Sequence, residues 1–149
     1  VQIVGTNALR VARNASEFMA RAEEVLGFPV EIIAGREEAR LIYLGVSHTL
    51  ADDTGRRLVI DIGGGSTEFV IGERFETQVL DSLHMGCVSF RNAYFPDGRI
   101  QRKQFDKAMT HASQELLNIR YRFRQLGWQS AVGSSGSIKA ISSVLAHSS

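Results

Sequence analysis

Apolar residues recur at Phe18, Met19, Ala22, Val25 and Leu26, the spacing of one helix face, with Asn14 or Ser16 placed to cap the helix and Gly27 placed to stop it. Pro29 to Ala34 (PVEIIA) then reads as a short buried strand. Gly35 releases the chain into a second helix, with Glu37 and Glu38 in its first turn and Leu41, Ile42 and Val46 on its apolar face. Thr49 to Gly55 is polar and turn-rich, a break where a domain boundary could fall. Beyond it the period changes from helix to strand. Arg57 to Ile62 (RLVIDI), Glu68 to Ile71 (EFVI) and Thr77 to Leu83 are short apolar runs at the spacing of an antiparallel meander. After the turn Phe95-Pro96-Asp97-Gly98 comes a long amphipathic helix with Phe105, Ala108, Met109, Ala112, Leu116, Ile119 and Phe123 on one face. Arg120 and Arg124 lie on its other face with Arg122 nearby, and such basic residues are expected to be solvated rather than to touch substrate. Ser130 to Val132 forms a fourth strand, followed by a glycine-serine loop and an apolar helix from Ile138 to Leu145. The layout predicts an α/β fold with a mixed sheet and flanking helices.

Composition narrows the function classes. A chain of 149 residues, 44% hydrophobic and 22% charged, is long enough to bury a core. No run approaches the ~18 apolar residues of a membrane span, and the N-terminus has no secretory pattern. The single cysteine, Cys87, excludes an internal disulfide framework and fits a reducing compartment. A cytoplasmic location is expected, with peripheral membrane association left open. A net charge of +1 lacks the basic excess of a dedicated nucleic-acid binder. Any polyanion must therefore be held by backbone N–H groups, metal ions and a few local basic side chains. The four histidines have no metal-ligand spacing with Cys87, so a zinc site is not expected. The chain starts at Val1 and stops just after a helical pattern, which reads as a fragment.

Two glycine-rich loops each follow an apolar strand: Gly63-Gly64-Gly65-Ser66 and Gly133-Ser134-Ser135-Gly136-Ser137. Glycine lets consecutive backbone N–H groups approach and face one anion. The second loop also opens a helix, whose N-terminus favours negative charge. Neither is a P-loop, since no G-x-x-x-x-G-K-[ST] occurs. The simpler reading of each is a turn, yet the first is longer than a tight hairpin requires and is flanked by Asp61 and Glu68. Asp61 lies inside an apolar run, a costly place for a charge without a partner. Mg²⁺ with phosphate oxygens would be such a partner. Glu68 could equally be an ordinary exposed strand residue. Glu37 and Glu38 gain ~0.3–1 kcal/mol from the helix dipole whatever their chemistry. Cys87 is expected to be a small buried apolar group rather than a nucleophile.

The stretch LVIDIGGGSTEFVIG (Leu58 to Gly72) resembles the phosphate-binding signature of the exopolyphosphatase / guanosine pentaphosphate phosphohydrolase family, within the actin / Hsp70 / sugar-kinase (ribonuclease H-like) superfamily. AGREEARLIY (Ala34 to Tyr43), MGCVSF (Met85 to Phe90) and GSSGSIKA (Gly133 to Ala140) are similar to the same family in the same order, so the resemblance covers essentially the whole chain. It implies an incomplete actin-like α/β fold, with residues 1–42 as the end of a first domain and 43–149 as most of a second. It implies Glu38 as the catalytic carboxylate that activates water, and Asp61 and Glu68 as acidic residues at a site for Mg²⁺ or another divalent cation such as Mn²⁺. Gly63, Gly64, Gly65 and Ser66 match the phosphate-cradling loop, and Gly133, Ser134, Ser135, Gly136 and Ser137 the second phosphate-side loop. MGCVSF with Tyr94-Phe95-Pro96 resembles the exopolyphosphatase branch, which implies hydrolysis of the terminal phosphoanhydride of inorganic polyphosphate. The alternatives are hydrolysis of guanosine pentaphosphate and, from another class, a non-catalytic nucleotide or polyphosphate sensor. A kinase would need an acceptor pocket that nothing in the sequence supplies. A homodimer is expected for the full-length protein, with no nucleic-acid partner and no integral membrane segment. Two positions depart from the family pattern: Ala34 stands where Ser is expected, and Ser137 where Thr is expected. The family's earlier glycine loop and C-terminal helical domains are not found here, so the isolated fragment is expected to be inactive.

Overall fold

The computed structural model describes residues 1–51 and 55–148. The expected break at Thr49 to Gly55 therefore lies partly outside the described residues. The chain opens with strand β1 (Ile3–Gly5), helix α1 (Asn7–Val11) and helix α2 (Ala15–Leu26). Asn14 takes the N-cap position of α2, and Gly27 ends it in the left-handed conformation (φ 70°) that suits glycine. Strand β2 (Val30–Ile32) pairs in parallel with β1, Ile3 opposite Val30. Only Val30 of β2 is buried, which corrects the expectation of a buried strand: its partner β1 has three residues and gives little cover. The apolar face of α2 is also uncovered among the described residues, with Val25 83% exposed. Helical spacing identifies such a face but not what lies against it.

Helix α3 (Gly35–Thr49) leads to strands β3 (Arg57–Ile62), β4 (Thr67–Glu73) and β5 (Glu76–Leu83). The expected domain junction at residues 42 and 43 falls inside α3. The three strands form the expected antiparallel meander. Helices α4 (Cys87–Tyr94) and α5 (Arg102–Leu126) follow, then strand β6 (Ser130–Ser134) and helix α6 (Ser135–His147). β6 returns parallel to β3, giving a mixed sheet of order β5-β4-β3-β6.

Alternation along the strands sends side chains to two faces. On one, Val59, Val70 and Leu80 pack against Ala39, Tyr43, Ile42 and Val46 of α3. On the other, Leu58, Phe69, Ile71 and Leu83 meet Ile119 and Phe123 of α5. The stripe read along α5 is thus buried only in part: Ala108, Ile119 and Phe123 are covered, whereas Phe105 and Met109 are exposed. Arg122 is not simply solvated, since it pairs with Asp81 of β5. No helix among the described residues is long and apolar enough to cross a membrane.

Candidate active site

The first glycine loop joins β3 to β4 and is clamped from one side. Within it the Gly63 N–H donates to the Ser66 carbonyl at 2.9 Å. The first amides of α4 turn back onto it: Cys87 N–H donates to Gly63 O at 2.9 Å, and those of Val88 and Ser89 to Gly64 O at 2.9 and 3.0 Å. These are the orphan donors of a helix N-terminus, and the loop carbonyls satisfy them. Gly86 makes the contact possible. A Cβ there would lie 2.4 Å from Gly64 C and O and Gly65 N, atoms of backbone that cannot swing away. Thr67 Oγ1 adds a hydrogen bond to the Met85 carbonyl. The N–H groups of Gly64 and Gly65 donate to no backbone carbonyl among the described residues, so they remain available to an anion. Cys87 is exposed at the start of α4, not buried as its residue type suggested, because its backbone rather than its side chain faces the loop.

Register places the acidic residues in one row. Ser82 of β5 opposes Glu68 of β4, Glu68 opposes Asp61 of β3, and Asp61 opposes Ser134 of β6. Directly opposed residues share a sheet face, and this row continues the Val59–Val70–Leu80 face toward the loops. Glu68 is only 2% exposed, not the surface residue that remained open from sequence. Ser82 Oγ donates to its Oε1 at 2.8 Å, and Ser66 supplies a second hydrogen bond. Burial pushes the Glu68 carboxyl above its ordinary pKa; these two hydrogen bonds oppose the shift, and the nearby charges of Glu38 and Asp61 add to it.

Helix α3 brings Glu38 to the end of this row. Gly35 rests on Ser82, where a Cβ would meet Ser82 Oγ at 2.5 Å. Glu38 then faces inward, while Glu37 turns outward onto Arg40, whose Nη2 and Nε lie 2.7 and 2.9 Å from its oxygens. That hydrogen bond holds the Glu37 carboxyl below its ordinary range. Arg10 of α1 reaches Glu38 Oε2 through Nη2 at 3.0 Å and the Ile33 carbonyl through Nη1 at 2.6 Å. Both members of the ion pair are mostly covered, with side chains 21% and 17% exposed. Asn7, one turn before Arg10, lies against the glycine loop: a Cβ on Gly65 would sit 2.1 Å from its Oδ1. Arg10 and Asn7 escaped the sequence reading, because a five-residue helix is too short to show a period.

The expected second loop is not a separate loop: Gly133 and Ser134 end β6, and Ser135, Gly136 and Ser137 begin α6. Gly133 is a packing position, since a Cβ there would strike Ile138 Cγ2 at 2.4 Å. Ser134 is the neighbour of Asp61 in the row. Ser135 takes a left-handed conformation (φ 78°), rare for a residue with a side chain, and its Oγ donates to the Ile62 carbonyl at 2.8 Å. The hydroxyl thus ties the start of α6 to the end of β3. Gly136 and Ser137 lie in the first turn of α6, with open space around Gly136.

A divalent cation would be held by Asp61 and Glu68. A buried carboxylate with two others in its field is a negative cluster that a cation would relieve, so the donor chemistry fits. No group of three or more potential metal-ligating side chains forms among the described residues. The remaining coordination would come from phosphate oxygens and water, the usual manner of Mg²⁺.

Residues 1–149 match the Ppx/GppA phosphatase family. A guanosine-5′-triphosphate,3′-diphosphate pyrophosphatase of Aliivibrio fischeri is 48% identical over 145 residues, 97% of this chain and 29% of that protein. A Haemophilus influenzae protein named "Putative exopolyphosphatase" is 47% identical over 146 residues, 98% of this chain and 45% of its length. The solved exopolyphosphatase of Cytophaga hutchinsonii superposes with a TM-score of 0.80 at 27% identity, over 93% of this chain and 45% of that one. The chain therefore spans less than half the length of these relatives. Its mixed sheet and flanking helices are part of an actin-like fold, as the glycine-loop signature implied.

Proposed function

The chain belongs to the Ppx/GppA phosphatase family, and on that premise we propose that it supplies the glycine loop and the water-activating glutamate of an enzyme that cleaves the terminal phosphoanhydride of guanosine pentaphosphate. The observation that carries this reading is the inward Glu38 carboxylate, held 3.0 Å from Arg10 at the end of the Ser82–Glu68–Asp61–Ser134 row. The terminal phosphoryl group would lie on the free amides of Gly64 and Gly65. A planar guanidinium can pair with two phosphate oxygens at once, whereas Arg10 makes a single contact with Glu38. Arg10 would then turn to the phosphoryl group and release Glu38. A water oxygen attacks phosphorus in line while the bridging P–O bond breaks. The water proton passes to Glu38, and the bond electrons leave on the departing phosphate oxygen. The products are orthophosphate and guanosine tetraphosphate. A cation bound by Asp61 and Glu68 would offset charge on the phosphoryl oxygens.

The relatives move the substrate expectation from polyphosphate toward the guanosine nucleotide. The exopolyphosphatase branch is implied only by the resemblance of MGCVSF with Tyr94-Phe95-Pro96, and the amides of Cys87, Val88 and Ser89 in that stretch bind the glycine-loop carbonyls. Polyphosphate is kept as the second reading because the Haemophilus relative carries that name. A sensor role is disfavoured, since binding alone has no use for an inward carboxylate beside a bound phosphate. The test is phosphate release by the protein that contains this chain, with guanosine pentaphosphate, GTP and long-chain polyphosphate compared at equal phosphate concentration. Faster turnover of the pentaphosphate is expected. A strong preference for polyphosphate would overturn the substrate assignment, and no release from any of the three would overturn the enzyme.

A further inference from the structure

One face of α4 leads away from the glycine loop toward a groove that the proposed chemistry does not use. Val88 is where α4 touches the loop, 3.5 Å from where a Cβ on Gly64 would lie. Helical spacing puts Arg91 one turn beyond Val88 and Tyr94 a further turn on. Arg91 is exposed and has no carboxylate partner among the described residues. Tyr94 then lines a groove between α4 and α5 together with Arg102, Lys103, Lys107 and His111. The floor is ordered. His111 stacks on Phe90 with ring planes 11° apart, and its Nδ1 lies 2.7 Å from the Tyr94 hydroxyl. The rim is basic. Arg102 is held by Asp106 at 3.0 and 3.1 Å, and Glu115 approaches His111 at 3.7 Å. Lys103 and Lys107 have no carboxylate partner among the described residues. Arg91, between Val88 and Tyr94 on α4, adds a third exposed cation on the way from the loop to the groove.

We propose that Arg91, Lys103 and Lys107 make a second phosphate subsite, which holds the far end of a substrate whose terminal phosphoryl group lies on the glycine loop. The inference rests on the proposed loop site. α4 has eight residues and is about 12 Å long, so a ligand reaching from the loop past Tyr94 must span a distance of that order. The ligand chemistry is therefore a second cluster of phosphate oxygens at that distance. Two sources supply it: the 3′-diphosphate of guanosine pentaphosphate, separated from the terminal phosphate by a triphosphate arm and a ribose, or later phosphates of a polyphosphate chain. The two lysines, point cations on flexible stems, suit either, because they need no fixed oxygen geometry. The ordered aromatic floor keeps the rim from collapsing when no ligand is bound.

Calorimetric titration of the longer protein that contains this chain, carrying Glu38→Gln so that no ligand is hydrolysed, tests the subsite without relying on turnover. The ligands are GTP, guanosine pentaphosphate, tripolyphosphate and long-chain polyphosphate at low salt, against that parent and its Lys103→Glu/Lys107→Glu variant. All three basic positions are exposed, and circular dichroism checks that the variant keeps its fold. The variant should bind an extended ligand about tenfold more weakly, and GTP and tripolyphosphate as before. A loss for guanosine pentaphosphate but not GTP assigns the subsite to the 3′-diphosphate, and a loss for long polyphosphate alone assigns it to the chain. Equal losses for short and extended ligands would show a general charge effect and overturn the proposal, as would no loss at all. Failure of the parent to bind GTP and tripolyphosphate, with extended ligands still bound and still sensitive to the variant, would instead count against the loop site and leave the groove standing.

Discussion

Glu68 is the residue whose surroundings say most about the site. It is buried, accepts hydrogen bonds from Ser66 and Ser82, and shares its field with Glu38 and Asp61. A carboxyl whose pKa is raised by folding binds its proton more tightly in the native than in the unfolded chain. Stability then rises as pH falls through the raised native value toward the ordinary 4.5, and the ionised form is a burden at neutral pH. Glu68→Gln should therefore raise the urea midpoint at pH 8, with the gain closing as pH approaches 4.5. On the proposal that Asp61 and Glu68 together hold the cation, Mg²⁺ should stabilise the parent and not the variant. A variant less stable than the parent at pH 8, or a gap that does not change with pH, would contradict this assignment. Among the candidate residues, Asp61 and Glu68 were legible as carboxylates flanking a glycine loop, whereas only the family resemblance set Glu38 apart from Glu37 in the same helical turn. Arg10 and Asn7 were not legible, because their meaning comes from contacts with Glu38 and Gly65 that lie far off along the chain.

At the scale of elements, strands β3 to β5 and helices α2, α3 and α5 follow from periodicity, since each is long enough to repeat. β1 and α1, with three and five residues, are not. Nor is the row across the sheet, which depends on register between strands as distant as β3 and β6. The clearest dependence between elements is that of the glycine loop on α4. Gly86→Ala would drive a methyl group into the backbone of Gly64 and Gly65 and force the two segments apart. Overpacking of this kind costs typically 1–3 kcal/mol, roughly 2–4 °C in Tm for each kcal/mol at this chain length. Anion binding should fall more than stability does, since the amides of Gly64 and Gly65 move with the loop. Thermal unfolding beside a tripolyphosphate titration reads both. An alanine variant with parental Tm and affinity would show that α4 does not set the loop.

At the scale of the molecule, the chain covers 29% of the Aliivibrio relative and 45% of the Haemophilus one. It holds the proposed base, the proposed cation ligands and both glycine-serine segments, and its α2 leaves an apolar face uncovered among the described residues. This chain by itself should be folded in part and catalytically silent, because a displacement of ~1 Å between reacting groups already costs about 10²-fold. Weak phosphate binding should persist and fade with salt, as exposed charges are screened over ~8–10 Å. Phosphate release by the chain alone at the rate of the longer protein would show that this wall of the site suffices. The central claim is that Glu38 takes the proton from the attacking water. Its most direct measurement is single-turnover phosphate release from guanosine pentaphosphate by the longer protein and its Glu38→Gln variant, with nucleotide affinity measured on the same samples. Gln keeps the size of the side chain and cannot accept the proton, so the rate should fall by about 10²–10⁴-fold with affinity nearly unchanged. A variant that keeps more than roughly a tenth of the parental rate, well short of the loss expected for a general base, would contradict the claim.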